Sequence, residues 1–231
     1  MVQNFTDFID ILNRSGFSMG GGNDESIYAV VPFSWNEDHP FDTPVKWHTG
    51  DIETDPWEWR MRVLDERDDI AYAKMFFKKS GYITKAWYPY FLAVRRRGMS
   101  FEDALINGHI SYFAKRIYDI VSAHKSIPLH LIKEQAGIDK EDKSKFESAL
   151  VELQMKLFIT IAGRQQKVSL SGAEYGWSST VFCTTEQFWE PSVFEKASEI
   201  GPEEAYDAIR NQILLLNPNA NEKKIAKFIK G

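Results

Sequence analysis

The stretch that decides the fold runs from His109 to Leu170 and divides into four segments. The first, HISYFAKRIYDIVSAHK (109–125), places apolar residues at helical spacing. The second, SIPLHLIKEQAGI (126–138), predicts a short helix that begins near Pro128 and ends at Gly137. The third, DKEDKSKFESALVELQMK (139–156), predicts another helix with Phe146, Leu150 and Leu153 inward. The fourth, LFITIAGRQQKVSL (157–170), alternates and predicts a β-hairpin that turns at Gly163.

Helix, short helix, turn, helix and hairpin is the element order of a winged helix-turn-helix module. Gly137 precedes the third helix, where such motifs often place a glycine. Another small α+β module can give the same order, so that alternative stays open. The predicted fold class is α+β, mostly helical, with a winged helix-turn-helix module and small β-hairpins. The predicted domains are an N-terminal α+β segment (1–99), the winged-helix module (100–170) and a C-terminal helical segment (171–231).

The residues before this module predict a mixed segment. Apolar spacing from Phe5 to Leu12 predicts an amphipathic first helix, and SIYAVVPF (26–33) predicts a strand. Asp55 before Pro56 predicts a capped helix start, with Trp57, Met61 and Leu64 on the inward face. Residues 68–79 predict a further helix that Gly81 ends.

Composition limits the classes of function. The chain has 231 residues, a net charge of −5 and one cysteine, which excludes an intramolecular disulfide and a zinc site built from several cysteines. The N-terminus does not resemble a signal peptide, and no apolar run reaches membrane-spanning length. We therefore expect a cytoplasmic protein with no membrane partner, and no cofactor is predicted.

The segment HTGDIETDPWEWRMR (48–62) is the first candidate site. Its acids sit at every second position, but the glycine and the distal glutamate that a calcium loop needs at fixed spacings after them are missing, and no metal site is predicted. His48, Glu53 and Asp55 are the candidate catalytic residues, and Trp57 and Trp59 are candidate pocket walls. Trp59 is preferred for stacking because Trp57 is predicted to point inward. The structural alternative is a corner in which Asp55 caps a helix and the other acids bond to the loop.

A second candidate is the basic aromatic segment 70–97, which has seven lysines and arginines and no acid. Cations neutralise phosphates, and aromatic rings stack on bases, so this mixture suits nucleic acid. The alternative is an aromatic core with solvated cations outside it. A third group of lysines lies where a recognition helix would begin. The candidate nucleic-acid-binding residues are Lys78, Lys79, Lys85, Arg95, Arg96, Arg97, Lys140, Lys143 and Lys145.

Three strings resemble a known family: WHTGDIETDPWEWRMRV (47–63), DDIAYAKMFFKKSGYIT (68–84) and WYPYFLAVRRRG (87–98). They are similar to the AlkZ-related proteins, bacterial relatives of the AlkZ-like winged-helix DNA glycosylases. The resemblance implies winged-helix structure and a link to damaged DNA. The glycosylases carry a Gln-x-Gln or Gln-x-Asp motif near their N-terminus, whereas Gln3 is the only glutamine here before position 100. Any excision activity would need a carboxylate of the 48–62 segment instead.

The predicted function is therefore nucleic-acid binding of the DNA-repair type, with double-stranded or damaged DNA as the partner and base excision as an open hypothesis. The alternatives are a small-molecule-binding or enzymatic protein with a pocket at the His48–Trp59 loop, and a winged-helix module that binds protein. The sequence does not give the oligomeric state.

Overall fold

The computed structural model describes residues 1–33, 42–168 and 174–231. The described residues are mostly helical with two small antiparallel sheets, which confirms the predicted α+β class. No helix within the described ranges is long and apolar enough to cross a membrane. The helices are α1 (Phe5–Ser15), α2 (Pro56–Glu66), α3 (Tyr88–Arg96), α4 (Phe101–Ile106), α5 (Tyr112–Ser122), α6 (Leu129–Gln135), α7 (Lys143–Met155), α8 (Thr185–Phe188), α9 (Pro191–Glu199), α10 (Pro202–Leu216) and α11 (Glu222–Lys230). The strands are β1 (Phe17–Met19), β2 (Ile70–Phe76), β3 (Lys79–Thr84), β4 (Ile127–Pro128), β5 (Ile159–Val168) and β6 (Glu174–Thr184).

The chain forms two compact units. Unit 1 joins Met1–Gly98 to Ser192–Gly231, and unit 2 is the continuous stretch Met99–Pro191 between them. The division into 1–99, 100–170 and 171–231 as separate domains stays a prediction.

Unit 1 contains a three-stranded antiparallel sheet with the strand order β1-β3-β2. The helix predicted over 68–79 was wrong, because this segment forms β2 and turns back into β3 through Phe77 and Lys78, both at positive φ. β2 is buried on both faces except at Lys74, so its apolar residues do not alternate and also fit a helical stripe. The strand predicted over 26–33 was also wrong, because that segment is irregular in the structure.

The core of unit 1 is closed by the C-terminal helix. The rings of Phe76 and Phe228 stack with their centroids 3.9 Å apart and their planes 9° from parallel. Phe17 and Phe91 complete this cluster with centroids 5.5 Å apart. α11 buries Ile225, Phe228 and Ile229 on one face.

Unit 2 begins with α4, where Ser100 and Asp103 form a capping box. The predicted helices between positions 109 and 156 are confirmed as α5, α6 and α7. The sheet order is β4-β6-β5, with both pairs antiparallel. The turn predicted at Gly163 was wrong, because β5 runs on to Val168 and Gly163 lies at an irregularity in its register with β6. The name winged helix stays a prediction for this unit.

Candidate functional site

The His48–Arg62 segment is organised around a buried carboxylate. The Asp55 side chain has no solvent exposure and caps α2, as predicted. It accepts hydrogen bonds from the backbone N–H groups of His48 at 3.0 Å, Gly50 at 2.9 Å and Trp57 at 2.8 Å. His48 and Gly50 have φ values of 60° and 75°, so these bonds hold a tight loop in left-handed backbone. Asp55 therefore has a structural task that occupies both of its oxygens.

The prediction of which tryptophan points inward was wrong. Trp59 is fully buried, packs on Phe8 with ring centroids 5.1 Å apart, and donates from Nε1 to the carbonyl of Ile52 at 3.2 Å. The cavity beside Trp59 is only about 10 Å³, far too small for a nucleobase. The ring predicted to stack on a ligand is thus a core residue.

Trp57 lies on the surface instead, with 43% of its area exposed. The Arg60 guanidinium carbon is 3.3 Å from its ring centroid, and the His48 ring centroid is 4.7 Å away. Arg60 therefore covers one face of the indole and makes a cation–π contact. His48 is exposed, and its ring lies against that of Trp57.

Glu53 forms an exposed ion pair. Its Oε1 accepts from Nη1 of Arg62 at 2.8 Å, and 53% of the Glu53 side chain is exposed. Arg62 is also bonded to Glu66 at 2.7 Å. Among the described residues, no group of three or more His, Cys, Asp or Glu side chains is placed to hold a metal ion. The catalytic role predicted for His48, Glu53 and Asp55 gains no support from this geometry, and we do not carry it forward.

The basic segment 70–97 divides into interior and surface residues. Arg95 donates to the carbonyls of Phe228 at 2.7 Å, Met75 at 2.8 Å and Ile229 at 2.9 Å. Burial lowers the pKa of Arg95 to about 9. Arg96 is 7% exposed and lies over the Phe194 ring. These two arginines, predicted to meet phosphates, instead hold helices within unit 1, whereas Lys78, Lys79 and Arg97 are exposed.

The lysines at the start of α7 are exposed, as a recognition helix would require. Lys145 pairs with Asp142 at 2.9 Å, and this bond raises the pKa of Lys145. The segment 139–147 also contains Asp139, Glu141 and Glu147, so acids outnumber lysines there. The start of α7 thus offers cations in a locally acidic setting.

The hairpin of unit 2 has a different charge pattern. Between Glu152 and Glu174 the sequence has no acid, and Arg164 and Lys167 lie on β5. Gln166 donates to the carbonyl of Gly176 at 2.8 Å and accepts from Ser178 at 2.7 Å, which ties the two strands together. This part of unit 2 combines a positive charge with polar side chains.

Sequence reasoning missed a cleft of about 560 Å³ in unit 1. Arg67 donates two hydrogen bonds to the carboxylate of Asp69, of 2.9 and 2.6 Å, and this contact raises the pKa of Arg67. Thr84 is fixed by its hydroxyl bond to the carbonyl of Gly16 at 3.0 Å. The cleft combines one carboxylate with two lysines over an apolar floor, a mixture found in ligand sites. It is lined by Asn13, Asp69, Thr84, Lys85, Ala86, Pro89, Ser192, Val193 and Lys196.

No local sequence motif predicts this cleft, because its lining residues come from four separate parts of the sequence. Of the predicted site residues, only Lys85 lies in it. The sole signal in the sequence was the pair of adjacent acids at Asp68 and Asp69 before an apolar strand.

Comparison with known proteins gives one match. No curated protein and no solved structure matches the chain. A family model described as AlkZ related matches residues 2–230, which is nearly the whole sequence and spans both units. The chain therefore belongs to the AlkZ-related family, and the predicted resemblance is confirmed.

Proposed function

We propose that this protein binds double-stranded DNA through unit 2, as a protein of the DNA-repair type. The observation that carries the proposal is the order of elements in unit 2: α5, the short strand β4, α6, α7 and the β5–β6 hairpin, with sheet order β4-β6-β5. That order is the one used by winged helix-turn-helix modules. The family supplies the link to DNA repair.

In this assignment α7 is the recognition helix and the β5–β6 hairpin is the wing. Lys140 precedes α7, and Lys143 is its first residue. Both therefore lie at the N-terminal end of this helix, which is the end of a recognition helix that contacts the groove. Arg164 and Lys167 supply cations on the hairpin. Because α7 carries acids as well, we expect the hairpin to provide much of the electrostatic attraction and the affinity to fall steeply with salt.

The test is fluorescence anisotropy with a labelled duplex at several salt concentrations. Replacement Lys143→Glu should weaken binding to all sequences alike and lower the slope of log affinity against log salt by about 1. The matched control is Lys125→Glu, an exposed lysine between α5 and β4, which should bind like the wild type. If Lys143→Glu and Lys125→Glu weaken DNA binding equally, the effect is one of net charge and does not identify α7. If the wild type binds no DNA, a protein-interaction module is favoured.

The cleft of unit 1 supports a second candidate function, recognition or excision of an unstacked base. Its volume of about 560 Å³ lies within the range of small-molecule sites. Arg67 bonds both oxygens of Asp69, and the remaining lone pairs of this partly exposed carboxylate can accept a hydrogen bond from water or a sugar hydroxyl. This site replaces the pocket predicted at the His48–Trp59 loop.

Incubation of alkylated duplex DNA with the protein, followed by cleavage at abasic sites, tests this second candidate. If the wild type releases bases, Asp69→Asn should abolish release, while the neighbouring exposed Asp68→Asn should not. Release by the Asp69→Asn variant at the wild-type rate would remove the cleft from the chemistry. Absence of release by the wild type would end the excision hypothesis and leave DNA binding to be judged by its own assay.

A further inference from the structure

Unit 1 has a lysine-rich surface of its own. We call it the lysine face. It combines three lysines of the β2–β3 hairpin, one within β2 and two at the turn, with four on α11, and all seven are exposed. Its members are Lys74, Lys78, Lys79, Lys223, Lys224, Lys227 and Lys230.

Direct contacts show that the hairpin tip and α11 form one surface. The Nζ atom of Lys227 is 5.8 Å from the centre of the Phe77 ring, and Phe77 in turn faces Phe228 with centroids 6.1 Å apart. Arg95 bonds to carbonyls of both elements, at Met75 and Phe228. The two groups of lysines are thus held together by a packed aromatic and arginine base.

A short loop joins the two groups from the side. Glu25 forms an ion pair with Lys79, and its backbone carbonyl accepts from Nζ of Lys224 at 3.0 Å. Lys224 also reaches the hydroxyl of Ser26 at 3.3 Å. Asp24 lies two residues away and accepts from the N–H of Ser26.

Two acids beside these lysines are engaged in ion pairs. Glu25 is paired with Lys79, and Glu222, the one acid on α11, is paired with Arg210 of α10. Asp24 lies in the same loop as Glu25, and Asp207 follows Tyr206, whose ring lies 5.8 Å from Nζ of Lys230. The seven lysines outnumber these four acids in a chain whose net charge is −5.

The arrangement of lysines on α11 does not serve the helix itself. Lys223 and Lys227 are four residues apart, and Lys224, Lys227 and Lys230 are each three apart, so like charges are neighbours on its surface. Lys223 and Lys224 lie in the first turn, where the helix dipole disfavours cations. Only Lys227 and Lys230, in the last turn, are favoured by the dipole. A bound polyanion would turn this repulsion into attraction.

We propose that the lysine face binds the phosphate backbone of double-stranded DNA, as a contact surface in addition to that of unit 2. The lysines of α11 from 223 to 230 span about 10 Å at 1.5 Å per residue, a length over which duplex DNA carries several phosphates. Side chains that meet phosphates without reading bases give affinity but no sequence preference. The choice of DNA among polyanions rests on the proposed function.

The test compares two doubly substituted full-length proteins by the same anisotropy assay. Lys223→Glu/Lys230→Glu changes two exposed lysines of α11 and keeps the three lysines of the hairpin. Lys46→Glu/Lys125→Glu is the control, with the same change of net charge at exposed lysines elsewhere. The face variant should bind duplex DNA about tenfold more weakly at low salt and lose about 2 from the salt slope, while the control keeps the wild-type slope.

Thermal unfolding followed by circular dichroism should show the face variant melting no lower than the control, since it relieves like-charge repulsion. Equal DNA affinity of the two variants would overturn the lysine face and leave the proposed function of unit 2 standing. Complete loss of DNA binding in the Lys143→Glu variant would also overturn the lysine face, because unit 2 would then account for all of the affinity. Binding to phosphatidylserine vesicles but to no DNA, reduced in the face variant, would overturn DNA as its partner.

Discussion

Replacement of Asp55 should destabilise the protein more than any exposed acid in its segment. The carboxylate is fully buried and accepts three backbone N–H groups, so Asp55→Ala leaves three donors without their acceptor. Each such donor costs about 1–3 kcal/mol. His48 and Gly50 are exposed enough for water to reach them, so the lower end applies and the expected loss is about 3 kcal/mol.

Asp55→Asn tests the three hydrogen bonds in part, because it keeps only one of the two acceptor oxygens. One oxygen of Asp55 serves His48 and Trp57, and the other serves Gly50. The amide keeps one acceptor oxygen but places an NH₂ group against the N–H of Gly50, so its cost should be about half that of alanine. The control is Glu53→Ala, whose exposed ion pair with Arg62 is worth about 0–1 kcal/mol.

Urea unfolding followed by tryptophan fluorescence measures these differences. With a slope of about 2–3 kcal/mol per molar urea, the Asp55→Ala midpoint should fall by about 1–1.5 M at an unchanged slope. The order should be wild type, Glu53→Ala, Asp55→Asn and Asp55→Ala, from most to least stable. An Asp55→Ala midpoint as high as that of Glu53→Ala would refute the reasoning, because the loop would then not depend on the carboxylate.

Three further outcomes follow from the packing. Arg95→Met should lower the free energy of unfolding by about 3 kcal/mol or more, since three carbonyls lose their donor, whereas the exposed Arg97→Met should change it by less than about 0.5 kcal/mol in the same urea assay. Gly16→Ala should lower the melting temperature, because φ is +88° and a Cβ there would overlap the indole of Trp87; a melting temperature equal to that of wild type would contradict this. Cys183 is buried and its pKa is raised to about 12 by burial, so a thiol reagent at neutral pH should label it only as fast as unit 2 opens, and rapid labelling of the native protein would show that β6 is accessible.

The sequence predicted best those elements that bury one face only. Helices α1, α5 and α7 each carry one apolar stripe, and their inward residues followed from it. The prediction for β2 failed because this strand is buried on both faces, which removes the alternation of apolar and polar residues that indicates a strand. In α2 two stripes compete, one through Trp57 and Met61 and one through Trp59 and Val63, and only tertiary packing on Phe5 and Phe8 selects the second.

The candidate sites were harder to predict because they are assembled from distant residues. Asp55 was correctly assigned as a helix cap, since capping is local in sequence. The cleft joins α1, the start of β2, the β3–α3 junction and α9, and the lysine face joins residues 74–79 to 223–230. In the basic segment, charge alone did not separate Arg95, which bonds to carbonyls inside unit 1, from the exposed Lys78.

The bonds from Arg95 to α11 determine which unit can be completed first while the chain is being synthesised. Their carbonyl acceptors at Phe228 and Ile229 lie 133 and 134 residues after the arginine. At about 5–20 residues per second, a ribosome delivers them about 7–27 s later. During that time the whole of unit 2, which is continuous in sequence, is made and can fold, while the Phe76 and Phe91 rings lack the aromatic ring that covers them. A nascent chain halted before α11 should therefore present a finished unit 2 and an unfinished unit 1 to chaperones and proteases.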